Sequence, residues 1–207
     1  MKIIKPYFEI LDNTTEEKLL HNLELFGRVC YKSEERITKD SSKSFIDMIL
    51  KSGHESVLEH EKISVRIICD RGVTHEIVRH RIASYSQEST RYCNYSKDKF
   101  GNELTFIEPC FWNENKDEVK KEIWKTQLQE IEKAYMQLLK FGASPQEART
   151  ILPNSLKTEI IMSMNIREWR HFFKLRTSER AHPQMREIAS MILGEFKNRY
   201  EVLFKDI

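Results

Sequence analysis

The longest regular pattern in the chain spans residues 115–141, and it constrains the fold more strongly than any other sequence feature. Apolar side chains recur there at helical spacing along one side, lysine and glutamate occupy the other side, and Gly142 follows as a stop. An isolated amphipathic helix is only marginally stable in water, so the apolar stripe needs a packing partner. We therefore predict a long helix with an architectural or subunit-packing role. Its stripe consists of Val119, Ile123, Leu128, Ile131, Tyr135, Leu138 and Leu139.

Strand patterns accompany this helix. Alternation of apolar and polar residues predicts strands at residues 2–11 and around Ile63. Short apolar runs predict two more strands, around Phe106 and around Ile160. Taken by themselves, these local patterns indicate a mixture of α and β structure.

Capping residues mark the helix starts. Thr14 and Glu17 form a capping-box pattern, and Ser41 or Ser42 is positioned to cap a second helix that ends at Gly53. Further helices are predicted at residues 73–81 after a turn at Arg71-Gly72, after the Ser144-Pro145 pair, in a segment that runs from Asn165 through Arg176, and from Pro183 through Phe204.

Size and charge bound the class of protein. At 207 residues the chain is predicted to be a single domain, residues 1–207, with a substantial core. A formal net charge of +2 is too small to indicate polyanion binding by itself. Arginine is absent between Arg91 and Arg149, whereas both flanking regions are rich in it. This division suggests two ligand-binding segments around a middle that lysine and glutamate keep solvated.

The cysteines and the N-terminus indicate a reducing, aqueous compartment. The cysteines form no C-x-x-C pair, so we expect idle thiols in a reduced state. No apolar signal core is present at the N-terminus, and no run approaches the ~18 apolar residues of a membrane helix. We expect a cytoplasmic protein with no membrane association. The cysteines are Cys30, Cys69, Cys93 and Cys110.

Residues 79–92 are chemically the densest stretch. They contain three arginines, one histidine, four serine or threonine hydroxyls and a Gln-Glu pair. Arginine offers a planar fork of donors that suits phosphates, carboxylates and ring edges, whereas a solvated helix face usually favours lysine and glutamate. The alternative interpretation is a charged helix end that runs into a polar loop. The density of polar groups favours a ligand-binding site.

Two histidines and two glutamates lie within residues 54–60, a composition compatible with a metal site. However, the spacing is not H-E-x-x-H, and no thiolate or third histidine lies at a usual distance. We therefore expect no metal ion.

Arg149 and Arg176 lie among mainly apolar neighbours, in the sequences A-R-T-I-L-P and F-F-K-L-R. A partly buried arginine needs an anionic or carbonyl partner. From the residues alone, an internal ion pair with Glu147 or Glu179 and a bound ligand are equally good interpretations.

Several of these segments, taken together, match one family. The run Arg79-His80-Arg81, a gap of seven residues and Ser89 resembles the signature of the flavin-dependent thymidylate synthases. Four more stretches are similar to the same family, and the resemblance runs in ordered blocks from about Gly53 to Arg180. They are S-x-R-Y at 89–92, G-H-x-[ST]-x-x-E-H at 53–60, A-R-x-x-L-P at 148–153 and N-x-R…L-R at 165–176.

The resemblance implies an architecture and an activity. It implies the thymidylate synthase-complementing protein fold, an α+β domain whose mostly antiparallel sheet, from the Ile63, Phe106 and Ile160 regions, is flanked by helices. It also implies a homotetramer whose active sites are shared between subunits. FAD is the implied redox cofactor, dUMP the substrate, 5,10-methylenetetrahydrofolate the carbon donor and NADPH the reductant. The implied reaction is reductive methylation of dUMP to dTMP without covalent attack by an enzyme cysteine.

The resemblance also implies roles for individual residues. Arg176 is expected at the pyrimidine as the catalytic residue, where its charge favours ionisation at N3. The other residues expected to bind dUMP are Glu76, Arg79, Gln87, Glu88, Ser89, Thr90, Arg91 and Arg149. The residues expected to bind FAD are Ser56, Arg79, His80, Arg81, Gln87, Asn165, Ile166, Arg167 and His171.

Four positions depart from the family pattern. Gln87 lies where many relatives carry Glu, and Glu76 lies where a neutral Gln is common. His171 replaces an Asn found in some relatives, and Arg180 replaces a His. These departures bear on individual contacts more than on the activity.

Two other functions stay open. A non-catalytic nucleic-acid-binding protein could use the arginines on phosphates and nearby tyrosines on bases. Against it, the net charge is small and Glu76 and Glu88 lie beside the arginines, where a groove that follows a phosphate backbone rarely places carboxylates. The second alternative is a flavin- or nucleotide-binding relative that has lost methyl transfer, which only a test of dTMP formation excludes.

Overall fold

The computed structural model describes residues 1–112 and 116–207, and these residues group into two compact units. Asn115, the predicted first residue of the long helix, lies outside the described residues. Unit 1 comprises Met1–Tyr7, Ile67–Arg79 and Ser86–Ile160, and unit 2 comprises Phe8–Arg66, His80–Tyr85 and Ile161–Ile207.

The strands form two sheets. A four-stranded sheet has the order β2-β3-β6-β4, and β1 pairs with β5 in parallel in a separate two-stranded sheet. The antiparallel pairing of β3 with β6 is visible at both ends, where Ile166 N donates to Glu61 O and Arg71 N donates to Leu156 O. The strands are β1 Lys2–Ile4, β2 Tyr7–Ile10, β3 Lys62–Asp70, β4 Ser84–Gln87, β5 Thr105–Ile107 and β6 Lys157–Asn165.

The strand predictions are confirmed for the Ile63 and Ile160 regions, which are neighbours in the four-stranded sheet. The prediction that the Phe106 region joins the same sheet is wrong, because β5 pairs with β1. The predicted single strand at residues 2–11 is divided at Pro6, whose ring nitrogen cannot donate to a ladder. The short β1 that results is the partner of β5.

The helices differ in length from single turns to six turns. Short 3₁₀ turns occur at Glu34–Arg36, Glu55–His60, Asp98–Phe100 and Arg149–Ile151. The α-helices are α1 Glu16–Tyr31, α2 Ser41–Lys51, α3 Arg71–Ile77, α4 Glu118–Lys140, α5 Pro145–Ala148, α6 Ile166–Arg176, α7 Pro183–Arg199 and α8 Glu201–Phe204.

Two predicted helix caps are wrong. Thr15, not Thr14, caps α1, because Thr15 is the last extended residue and its hydroxyl accepts from Lys18 N. At the start of α2 the cap position is Asp40, and the hydroxyl of Ser41 donates instead to the buried Glu24 carboxylate at 2.8 Å. The predicted helix start at Ser144-Pro145 is confirmed, and Ser144 forms a capping box with Glu147 there. Gly53, with φ +68°, is confirmed at the end of α2.

The Arg-His-Arg run is not helical, contrary to the prediction for residues 73–81. Asp70 caps α3 by accepting from Val73 N at 2.7 Å, so the helix already begins at Arg71 and the predicted Arg71-Gly72 turn is its first turn. The helix then ends at Ile77. The run therefore continues as irregular chain towards β4.

The long helix α4 buries only part of its apolar stripe. Leu128 and Tyr135 are buried, whereas Val119 and Ile123 are 73% and 60% exposed. Phe141, just after the helix, is 86% exposed. The described part of the chain contains no helix with the length and apolar character needed to cross a bilayer.

An aromatic cluster forms much of the core of unit 2. Trp169, Phe172 and Phe173 of α6 are fully buried, and Trp169 lies 4.9 Å from Phe196 of α7 between ring centroids. The predicted last helix is interrupted at Tyr200, which separates α7 from α8. This packing fixes α6, the helix on which several of the predicted site residues lie.

Candidate functional site

Asn165 sets the start of α6 in unit 2. Its side chain accepts from Glu168 N at 2.8 Å, so the helix begins directly where β6 ends. Ile166 is fully buried, and its amide donates to Glu61 O. Both residues therefore shape the backbone at this point, whatever else they bind.

Two buried side chains of α6, Trp169 and Arg170, bond to neighbouring elements. Trp169 Nε1 donates to Ile63 O at 3.0 Å. Arg170 is 2% exposed and pairs with Asp206 at 2.6 Å. Because α6 is fixed along its length, the side chains on its other side are held at defined positions.

His80 lies against that other side of α6. The imidazole is buried, its Nδ1 lies 3.4 Å from a Glu168 oxygen, and its Nε2 accepts a hydrogen bond from Arg176 Nε at 3.0 Å. Its backbone carbonyl accepts from the hydroxyl of Tyr85 at 2.6 Å. The ring also contacts Phe172, with 4.9 Å between centroids.

Burial and positive charge keep this imidazole neutral. Burial, followed by the charges of Arg176 and His171, lowers the pKa of His80 to about 4. Burial also raises the pKa of the Glu168 carboxyl above its usual value, against the opposing charges of His171 and Arg167. At neutral pH His80 is therefore an acceptor towards Arg176 rather than a second cation.

An open cavity of about 480 Å³ lies beside these residues in unit 2. Arg167 lines it and donates to Glu59 at 2.5 Å, with Glu55 at 3.9 Å. His171 and Lys174 add two more basic side chains to the wall. The cavity thus presents donors and cations together with the carboxylates that hold Arg167.

The remaining unit 2 residues predicted for FAD are exposed. Ser56 lies in the 3₁₀ turn Glu55–His60, and Arg81 follows His80 in the irregular segment. The two histidines of the 54–60 stretch have other contacts: His54 Nδ1 lies 2.9 Å from the Tyr31 hydroxyl, and His60 packs on Phe26.

His80, Glu168 and His171 are ligand types suited to a transition metal, and their ligand atoms lie within 4.8 Å of one another. The arginine bonded to His80 argues against a dication here. The same positive charge that lowers the pKa of His80 would repel the metal. The group is better described as a cluster in which His80 bonds to Glu168 and Arg176, with the His171 ring beside it.

In unit 1, Glu88 is held by two strong contacts. Tyr95 donates to one carboxylate oxygen and Lys157 donates to the other, each at 2.6 Å. Burial and the Glu88 charge raise the pKa of Tyr95 well above its usual value, so it remains a donor. The Glu88 carboxylate is thus engaged within the unit.

Gln87, also in unit 1, has its amide group on two hydroxyls. Its Nε2 donates to Thr74 Oγ1 at 3.1 Å and to Thr158 Oγ1 at 3.3 Å. Thr74 and Thr158 are buried, and Thr74 donates its own proton to Arg71 O. The Gln87 amide therefore donates hydrogen bonds to both hydroxyl oxygens, which a side chain with acceptor atoms only could not do.

The 89–91 segment forms a turn after β4. Ser89 Oγ accepts from Arg91 N at 3.3 Å, Thr90 is buried, and the exposed Arg91 donates to Gln146 at 3.2 Å. The Ser89 and Arg91 side chains thus share one turn.

Three other predicted dUMP residues lie in unit 1. Arg79 is exposed just beyond α3, and Glu76 is half-buried within that helix. Arg149 is exposed in the 3₁₀ turn after α5. Its suggested ion-pair partner, Glu147, accepts instead from Ser144 at 2.7 and 2.6 Å.

The predicted residues therefore divide between the units. Most residues predicted for FAD lie in unit 2 together with Arg176, whereas Arg79, Gln87 and the other predicted dUMP residues lie in unit 1. Two residues of this cluster, Glu168 and Tyr85, were not among the predicted site residues. In the sequence, only its position three residues after the Asn165 cap marks Glu168. No sequence feature distinguishes Tyr85 from a tyrosine that stacks on a base.

The chain is similar to known proteins of one family. The family model described as thymidylate synthase complementing protein matches residues 9–200. A flavin-dependent thymidylate synthase of Pyrococcus abyssi is 41% identical over 172 residues, which cover 83% of this chain and 69% of the relative. The enzyme of the same name from Geobacter sulfurreducens is 35% identical over 189 residues, covering 88% and 79%.

A solved structure has the same fold. The UMP/dUMP methylase PolB of Streptomyces cacaoi, bound with 5-Br dUMP, superposes with a TM-score of 0.78 at 18% identity. The match covers 99% of this chain and 96% of that one.

Proposed function

The chain belongs to the thymidylate synthase complementing protein family, and from that premise we propose that it converts dUMP to dTMP by flavin-dependent reductive methylation. The observation that carries the proposal is the hydrogen bond between His80 and Arg176 at 3.0 Å. It joins the Arg-His-Arg block to the N-x-R…L-R block, so two separate family motifs contribute to one cluster.

The reaction consumes one molecule each of dUMP, 5,10-methylenetetrahydrofolate and NADPH, with one proton, and yields dTMP, tetrahydrofolate and NADP⁺. The carbon donor supplies the one-carbon unit that becomes bonded to C5 of the pyrimidine. FAD, when bound, supplies the hydride that originates from NADPH.

The residues present in unit 2 fit a flavin nucleotide. Arg81, Arg167 and Lys174 offer cationic donors of the kind that bind a diphosphate. The cavity of about 480 Å³ beside Asn165, Arg167 and His171 offers a concave, partly polar wall. We propose that Ser56, His80 and Ile166 of unit 2 also bind FAD, and that Arg79 and Gln87 of unit 1 are FAD ligands as well.

The proposed dUMP ligands include several cations. Arg79, Arg91 and Arg149 are exposed arginines in unit 1, and Ser89 adds a hydroxyl, a set that suits a phosphate monoester. The neutral or acidic members, Glu76, Gln87, Glu88 and Thr90, are half-buried or buried, and the first three have internal contacts. We propose that they orient the segment around the nucleotide.

Arg176 is the proposed catalytic residue. Negative charge develops on the pyrimidine ring when N3 ionises and C5 becomes nucleophilic. A guanidinium already fixed by His80 stabilises that charge without reorganising. The neutral state of His80 matters here because a protonated imidazole could not accept from Arg176.

No cysteine is required as a nucleophile in this proposal. Burial and the Asp70 charge raise the pKa of Cys69, and burial with Glu88 raises that of Cys93, so neither thiol has thiolate character. Cys30 and Cys110 are exposed. We expect each of the four Cys→Ala variants to retain turnover.

We further propose a cytoplasmic homotetramer with shared active sites, without a metal, nucleic acid or membrane partner. The exposed part of the α4 stripe, at Val119 and Ile123, supports subunit packing. Carboxylates interleaved with the unit 2 arginines, at Glu55 and Glu59, disfavour a phosphate-backbone groove.

The direct test is product formation. Purified protein with FAD, NADPH, 5,10-methylenetetrahydrofolate and dUMP should yield dTMP, and omission of any one reactant should abolish it. Pretreatment with EDTA should leave the rate unchanged. Flavin reduction without dTMP would instead identify a relative that has lost methyl transfer, and an absence of both would contradict the proposal.

A further inference from the structure

We propose that Glu168 is a positioning residue that holds His80 in its Nδ1–H tautomer, and that His80 in turn fixes the guanidinium plane of Arg176. This inference rests on the proposed function, because Arg176 is the proposed catalytic residue. Glu168 lies outside the set of residues to which the family motifs give a role.

The tautomer follows from donor and acceptor chemistry. Arginine has donors only, so the contact from Arg176 Nε at 3.0 Å requires a lone pair on His80 Nε2. A neutral imidazole then carries its proton on Nδ1. That nitrogen lies 3.4 Å from Glu168 Oε1, which can accept the proton's hydrogen bond.

The geometry of α6 makes the arrangement rigid. Glu168 lies in the first turn and Arg176 is the last residue of the helix, eight positions later and about 80° further round its axis. At 1.5 Å per residue, their Cα atoms are separated by about 12 Å along the axis. His80 contacts both, so its ring bridges the two ends of the helix.

Burial keeps His80 and Glu168 from exchanging these partners with water. The side chains of His80 and Glu168 are 3% and 13% exposed. Asn165 accepts from the Glu168 amide and so fixes the backbone from which the carboxylate extends. Phe172, on the same helix, packs against the imidazole ring.

Two of the groups that face His80 oppose its protonation, and a third fixes its tautomer. Arg176 and His171 oppose a charged imidazole, and Tyr85 binds the His80 backbone carbonyl rather than its ring. Glu168 is the carboxylate that contacts the ring. Without it, the Nε2–H tautomer becomes accessible, and that tautomer points a hydrogen at the Arg176 Nε–H.

The test compares three variants of the full-length, FAD-loaded protein. Glu168→Ala removes the acceptor, Glu168→Gln retains a neutral acceptor, and Glu195→Ala removes a half-buried carboxylate that pairs with Arg199 on α7. Long-range ¹H–¹⁵N correlation of ¹⁵N-histidine-labelled protein at pH 7.5 reports the tautomer of His80, assigned by its loss in His80→Gln.

We expect the Nδ1–H pattern in the native chain, in Glu168→Gln and in Glu195→Ala, and a mixed or Nε2–H pattern in Glu168→Ala. We also expect kcat for dTMP formation to fall about 10- to 100-fold in Glu168→Ala with little change in KM for dUMP, and within about threefold of native in Glu168→Gln. Circular dichroism and flavin content check that each variant is folded and loaded.

An Nε2–H pattern in the native chain would overturn the proposal, as would a Glu168→Ala variant with native tautomer and native kcat. These outcomes are distinct from failure of the proposed function. If the native chain forms no dTMP, the tautomer measurement still decides whether Glu168 positions His80.

Discussion

Arg176 Nε donates to His80 Nε2 at 3.0 Å, and this contact joins residues that are 96 positions apart in the sequence. The two residues belong to different motifs, and neither motif predicts the contact with the other. Because the imidazole is buried and neutral, it accepts from the guanidinium without adding a competing charge. Arg176 is thus both charged and fixed in orientation, which is what stabilisation of a developing anion requires.

Replacement of Arg176 should separate chemistry from folding. We expect Arg176→Ala to lower the rate of dTMP formation by about a hundredfold or more, because a preorganised donor at the developing charge is lost. Arg176→Lys should also be impaired, since an ammonium keeps the charge but not the planar fork. Single-turnover kinetics measures the loss.

The matched control is Arg186→Ala, at a half-buried arginine of α7 whose side chain donates to Glu179 O at 3.4 Å. It should behave like the native chain. Native turnover by Arg176→Ala, with flavin content unchanged, would remove Arg176 from the chemistry.

Glu59 is predicted to weaken flavin binding. It holds Arg167 at 2.5 Å and places a carboxylate on the wall of the unit 2 cavity. Glu59→Gln should free Arg167 for an anionic ligand and lower the Kd for FAD by about two- to fivefold, in line with the small energy of an exposed ion pair. Fluorescence titration of apoprotein with FAD measures this change.

Glu195→Gln is the comparison, because Glu195 also pairs with an arginine at 2.5 Å but on α7. Its Kd should equal that of the native chain. Weaker FAD binding by Glu59→Gln would mean that Glu59 orients Arg167 for the ligand rather than competing for it.

Gln87→Glu should destabilise the protein. The carboxylate cannot donate to Thr74 and Thr158, and Thr74 already uses its proton on a backbone carbonyl. The free energy of unfolding should fall by about 1–3 kcal/mol, as for other buried groups that lose a partner. Urea unfolding at one fixed protein concentration tests this, with the exposed Gln137→Glu on α4 as control. Equal midpoints for both variants would show that the threonines reorient to serve a carboxylate.

Stability should decline in mildly acidic solution because of His80. Its pKa is about 4 in the folded chain and near 6.5 when unfolded, so between these values the unfolded state binds the extra proton. The stability that neutral His80 contributes to the folded state is therefore fully present above pH 6.5 and is lost as the pH falls towards 4. His80→Gln should show a shallower fall in melting temperature across this window than the native chain.

The exposed His21→Gln variant on α1 should retain the native slope. Identical slopes for His80→Gln and the native chain would mean that the folded imidazole titrates normally, which contradicts its burial beside Arg176.

Local patterns were sufficient for much of the fold. The burial of alternate residues in β6 and in the first half of β3 follows directly from side-chain alternation, and a helix starts after Ser144 as its sequence predicts. Local patterns did not predict which strands pair with each other. The strands β1 and β5 pair across about a hundred residues, and nothing in either short strand specifies the other. Pairing of this kind is decided by the whole chain rather than by local propensity.

Local patterns also failed to predict the contacts within the candidate site. Resemblance identified His80 and Arg176, but the helix prediction placed the Arg-His-Arg run inside α3, because Asp70 was not recognised as the cap that starts the helix early. Glu168 was missed since its carboxylate meets His80 across 88 positions. A residue that acts through another side chain leaves a weak signal in a single sequence.

The central claim is tested most directly by the absorbance spectrum of the purified protein during anaerobic reaction with NADPH, with and without dUMP. The account predicts visible flavin bands that bleach as NADPH is oxidised, at a rate that dUMP stimulates. A colourless protein that takes up no added FAD and oxidises NADPH at the same rate with or without dUMP would contradict it.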